Sequence, residues 1–157
     1  MSILKVDTLQ PATGSVVHAV GHVIQFKHFS GTSQTDVNAN NSYFTVHTDS
    51  TFTITPKFSS SLIVVRHYAN GIVLNSGTAM LRIQRNGSTV FENDRHAYCD
   101  ATNWVPCNWS CQFIDTPSST SALTYTFQVR KEGGSLRVND FSANANKYIV
   151  TLEEVAQ

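Results

Sequence analysis

Apolar and polar residues alternate with a period of two along most of this chain, in short runs broken by Asp, Ser, Pro and Gly. The clearest run sets Leu123, Tyr125, Phe127 and Val129 against Thr124, Thr126, Gln128 and Arg130. Such alternation puts one set of side chains on each face of a β-strand. Cys107, Trp109, Cys111 and Phe113 alternate in the same way with Asn108, Ser110 and Gln112, and the first set is expected inward. His22 to Phe29 reads as a strand with Ile24, Phe26 and His28 on one face. Leu62 to Tyr68 is apolar on both faces, as for a strand covered on both sides. Tyr43 to His47, Thr51 to Thr55 and Lys147 to Val155 complete the evident strands. Pro56 ends one of them, because it has no N–H to give to a ladder.

The punctuation between these runs predicts the connections. Arg85-Asn86-Gly87-Ser88 sits between two strand-like segments, and Asn-Gly there signals a two-residue hairpin with positive φ at both central residues. Asn70-Gly71, Asn75-Ser76-Gly77 and Gly133-Gly134 read as further turns. Ser30 to Ser42 and Glu92 to Pro106 read as long surface loops, the second holding a short strand. No segment carries a helical period. An all-β sandwich or barrel follows, occupying residues 21–157 as one domain. Residues 1–20 read either as a separate short arm, in which Ile3, Leu4, Val6, Leu9, Val16 and Val17 are the apolar positions available for docking on another protein, or as an edge strand of the same domain.

Composition narrows the partners more than the fold. The chain has 157 residues, with charged residues at 14% and eleven of each sign. That charged share is well below the usual quarter, and Ser, Thr and Asn carry the polar surface instead. No basic stripe is present, which argues against nucleic acid and anionic membrane and toward protein or carbohydrate. No run of apolar residues is long enough to span a membrane as a helix. Met1 to Asp7 has no signal-peptide core before its first acidic residue, which predicts synthesis without a secretion signal.

Candidate chemistry is sparse. Cys107 and Cys111 lie about 13 Å apart if both are on one strand, too far for a disulfide. Together with Cys99 they read as reduced, small apolar side chains. His18 and His22 are four apart, but the flanking Val and Gly argue against the helix that would make them a metal pair. Asp94, His96 and Asp100 with Arg95 form the densest polar cluster, yet no nucleophile elbow or phosphate loop accompanies it. No catalytic residue, metal or cofactor is expected. Tyr98 and Trp104, with Asp94 and His96, form the candidate recognition surface, since an aromatic platform beside Asn and Asp suits a sugar. Aromatics enrich subunit contacts as readily.

Several segments, in order, resemble the small virion structural proteins of cyanophages and related tailed phages. Met1-Ser2-Ile3-Leu4-Lys5-Val6-Asp7-Thr8-Leu9-Gln10 looks like their opening, and Gly21-His22-Val23-Ile24-Gln25 like their first core strand. Phe52-Thr53-Ile54-Thr55-Pro56-Lys57 followed by Ser61-Leu62-Ile63-Val64, then Leu81-Arg82-Ile83-Gln84-Arg85-Asn86-Gly87, are similar to their central motifs. Ile149-Val150-Thr151-Leu152-Glu153-Glu154-Val155-Ala156-Gln157 resembles their ending. The resemblance implies a jelly roll similar to the tumour-necrosis-factor and complement type, assembled as a homotrimer. It implies a non-enzymatic virion protein, either a capsid-decorating (cement) trimer on the major capsid protein or a tail-fibre module recognising host surface glycan.

Overall fold

The computed structural model describes residues 19–139 and 148–157. Among these residues there is no helix, and the strands are β1 (Val23–Gly31), β2 (Thr35–Val37), β3 (Phe44–Thr45), β4 (Phe52–Ile54), β5 (Leu62–Asn75), β6 (Gly77–Arg85), β7 (Ser88–Cys99), β8 (Val105–Asp115), β9 (Leu123–Glu132), β10 (Ser135–Val138) and β11 (Tyr148–Val155). They form two antiparallel sheets packed as a sandwich, as the alternation predicts, in the jelly-roll form that the resemblance implied. The first sheet runs β1-β11-β5-β10-β2, with β8 on the free side of β5. The second runs β3-β9-β6-β7, with β4 also on β9.

The core lies between the sheets and follows from the period of two. β9 sends Leu123, Tyr125, Phe127 and Val129 inward, and β6 sends Ala79, Leu81 and Ile83. Opposite them stand Ile63, Val65 and Ala69 of β5, Trp109 of β8, and Tyr148, Val150 and Leu152 of β11. Trp109, at 1% exposed, is the largest of these fully buried side chains.

Two carboxylates that enter this interior are matched. Asp115 takes Arg85 at 2.6 Å and the Tyr125 hydroxyl at 2.6 Å, both as donors. Glu154 has no exposed surface and accepts from Lys57 N (2.7 Å), Phe58 N (3.2 Å), Ser61 Oγ (2.8 Å) and Gln25 Nε2 (2.6 Å). One carboxylate thereby fastens the segment after β4 to β11 and β1. Burial alone would raise its pKa, but these donors favour the ionised form and bring it below the ordinary carboxylate value.

Three expectations from the sequence need correction. Ser30 to Ser42 is not all loop, for β2 lies within it and Val37 is buried against the core. Asn70-Gly71 does not turn the chain. β5 runs through it as one fourteen-residue strand, with a register irregularity between Ala69 and Ile72. Glu92 to Pro106 is largely strand, because β7 continues to Cys99 and only residues 100–104 connect it to β8. The β6–β7 hairpin stands as expected, with φ of 49° at Asn86 and 84° at Gly87.

Candidate interaction surfaces

The two outer faces of the sandwich differ in chemistry. On the β9-β6-β7 sheet the outward positions are Thr124, Thr126, Gln128 and Arg130, then Thr78, Met80, Arg82 and Gln84. They form a polar network. Arg82 donates to Gln128 Oε1 at 2.9 and 2.6 Å and lies 3.7 Å over the Tyr43 ring, whose hydroxyl donates to Glu92. Arg130 pairs with Glu132 at 3.3 Å.

The opposite face, on β1-β11-β5-β8, sets exposed large apolar side chains among polar ones. Antiparallel register places Phe26 beside Glu153, Ile149 beside Tyr68, and Val64 between Glu153 and Ile114. Phe26 is 55%, Ile114 52%, Ile149 38% and Tyr68 36% exposed. A shallow groove of about 470 Å³ crosses it between Arg66, Tyr68, Ser110, Gln112, Ile149 and Thr151. The Arg66 guanidinium pairs there with Glu153, so the face carries both signs. Leu62 to Tyr68 is therefore not covered on both sides within a single chain.

The residues expected to form a recognition surface are separated. Tyr98 is 70% exposed and faces outward beside Thr78 on the β6-β7 side. Asp94 is exposed on β7. His96 turns inward and stacks on Trp109, with ring centroids 4.5 Å apart, and burial lowers its pKa to about 4. Trp104, in the connection from β7 to β8, packs toward the other sheet. Its ring lies 5.0 Å from the Arg137 guanidinium of β10, which in turn pairs with Asp36 of β2 at 3.3 Å. Those two partners are far from Trp104 in sequence, and no spacing signal pointed to them. The six apolar arm positions, Ile3, Leu4, Val6, Leu9, Val16 and Val17, lie outside the described residues.

A second grouping that the sequence did not announce lies inside. His47, just after β3, meets His67 of β5 through their Nε2 atoms, 2.7 Å apart. One ring donates and the other accepts, so the accepting ring is neutral in this contact. His47 stacks on Tyr148 at 3.9 Å and His67 on Phe127 at 4.6 Å. Desolvation lowers the pKa of His47 to about 3 despite nearby Asp49; desolvation also lowers that of His67 well below the usual value, and the neighbouring His47 and His96 add to this. The Nδ1 atoms of both rings and Trp109 Nε1 are buried without a partner. Asp49 itself is held by Ser33 and by the hydroxyl of Tyr148.

The cysteines offer no reactive centre. All three are free thiols, and burial raises the pKa of Cys107 and brings that of Cys111 to about 12. Among the described residues no three His, Cys, Asp or Glu side chains are grouped to hold a metal ion.

No protein family matches the chain, and no curated protein does. Solved structures do match. The infectious bursal disease virus VP2 subviral particle is 14% identical with a TM-score of 0.44, covering 98% of this chain and 43% of that one. Particles derived from the same virus give 15% identity and a TM-score of 0.35, covering 98% of this chain and 41% of that one. The chain thus spans less than half the length of these viral proteins.

Proposed function

We propose that this chain is a structural protein of a tailed-phage particle, and that it works as a homotrimer. The observation that carries the proposal is the contrast between its two outer faces. A polar network covers one sheet, while the β1-β11-β5-β8 face leaves Phe26, Tyr68, Ile114 and Ile149 open to water. Burying apolar area of this kind is the main favourable term in association. A second copy of the chain is the occupant that fits. The face is nearly neutral and carries one cation and one anion side by side, so it opposes no copy of itself by charge. The order of motifs along the sequence supports the particle role.

Within that role, decoration of the head is the first reading. The arm would then lie across neighbouring capsid subunits through Ile3, Leu4, Val6, Leu9, Val16 and Val17. It departs beside the C-terminal residues, where Gly21 N donates to Ala156 O and Ala156 N to His22 O, both at 2.9 Å. Recognition of host surface glycan is the second reading, and exposed Trp104 favours it.

Light scattering of the purified protein tests the assembly. The parent is expected at three times the chain mass. Phe26→Asp with Ile114→Asp is expected to give monomer with an unchanged circular dichroism spectrum. A parent that is monomeric at high concentration sinks the trimer. Gold-labelled antibody on intact virions separates head from tail, and absence of gold from both sinks the particle reading.

A further inference from the structure

Trp104 stands 45% exposed where Trp109 is buried, and it forms one wall of a groove of about 150 Å³. The other walls come from three strands and the segment after β2: Asp36, Asn38, Lys131, Ser135 and Arg137. These parts are held in place. Lys131 Nζ donates to Gly134 O at 2.5 Å and fixes the turn that leads into Ser135. Asn41 N donates to Lys131 O at 2.9 Å, and Asn40 bridges to Lys131, so the rim after β2 is tied to β9. Arg137 is fixed between the Trp104 ring and Asp36.

The chemistry of the walls selects among ligands. A phosphate or polyanion would meet the Asp36 carboxylate, which already balances Arg137, and the other cation of the lining, Lys131, is turned to Gly134 O. A purely apolar ligand would leave Asp36, Asn38 and Arg137 dehydrated with no new partner. A pyranose ring presents an apolar C–H face and a rim of hydroxyls that both donate and accept. Trp104 supplies the exposed apolar ring surface that Arg137 does not cover, Arg137 donates, Asp36 accepts, and Asn38 does both. The small volume suits one ring, with the rest of a glycan leaving into solvent.

We propose that this groove binds one pyranose residue of a cell-surface glycan, stacked on Trp104 and hydrogen-bonded at its rim by Asp36, Asn38 and Arg137. The proposal rests on the recognition reading above and assigns it a site. Tyr98, Asp94 and His96 take no part, since they lie on or behind the other sheet.

The test applies the whole protein to an array of bacterial surface oligosaccharides, with titration of the best binder followed by tryptophan fluorescence. Retention of at least one glycan is expected, with a change in Trp104 emission. Trp104→Ala is expected to weaken that glycan at least tenfold, and Asp36→Asn or Arg137→Gln several-fold, with the melting temperature kept within a few degrees. If the glycan binds Trp104→Ala as it binds the parent, the groove is the wrong site while recognition survives. If the parent retains no glycan, the groove and the recognition reading fall together.

Discussion

At the scale of single residues, the interior histidines set the response to acid. An unfolded histidine takes its proton near pH 6.5, whereas His47 in place takes one only at about 3. Between those values the unfolded chain binds more protons. Stability from this group is complete above about pH 6.5 and is lost as pH falls toward 3. The loss at pH 4 is on the order of 3 kcal/mol for His47, and His67 acts in the same direction. Urea denaturation from pH 7 to 4 should show it, and His47→Phe with His67→Phe should make the profile shallower, leaving the contribution of His96. An equally steep profile in the double variant would assign the effect elsewhere. Glu154 adds a second acid-sensitive contribution at lower pH, because its folded pKa is depressed and its stabilisation fades as it protonates. Glu154→Gln should cost about 2 kcal/mol at neutral pH through weakened charge-assisted hydrogen bonds. None of this was legible in the sequence. His47 and His67 carry no metal-like spacing, and Glu154 looks like any carboxylate near a chain end until Lys57, Phe58 and Ser61 are seen to donate to it.

At the scale of elements, two glycines make a controlled comparison. Gly87 closes the β6–β7 hairpin at φ 84° with nothing within 4 Å of an added Cβ. Gly134 turns β9 into β10 at φ 50°, and a Cβ there would stand 1.6 Å from Asn75 O. Gly87→Ala should cost about 1 kcal/mol from backbone conformation alone, and Gly134→Ala several times that or no folded protein. Equal losses by thermal melting would contradict the register of β10 on β5. The hairpin at Gly87 could be read directly from Asn-Gly, because the turn type is a local requirement. β8, β9 and β11 were legible for the same reason, each burying every second residue. Asn70-Gly71 misled because the same dipeptide serves a turn or an irregularity inside a strand, and the pairing of β5 with β8 on both sides of it, and with β10 beyond it, decided between them. β2 was invisible because three residues give no period; only contact with β10 makes them a strand.

At the scale of the molecule, the proposed trimer makes stability depend on concentration. Its melting temperature should rise with protein concentration. Because the contact face is apolar and nearly neutral, added sodium chloride should change that dependence little. A midpoint independent of concentration over a hundredfold dilution series would argue against the buried face. The apolar outer face was half legible: Leu62 to Tyr68 showed apolar residues on both sides, but only the register with β11 and β8 showed Phe26, Ile114 and Ile149 sharing it. The order of that sheet also bears on synthesis. β11 lies between β1 and β5, with Val23 paired to Val155 and Leu62 to the same residue. On the ribosome, β1 and β5 emerge long before the strand that must separate them. The nascent chain cannot close this sheet until residues 148–155 leave the exit tunnel, and folding waits on translation. A message cut before Tyr148 would yield a chain with its two halves facing an empty lane, a ready substrate for proteolysis.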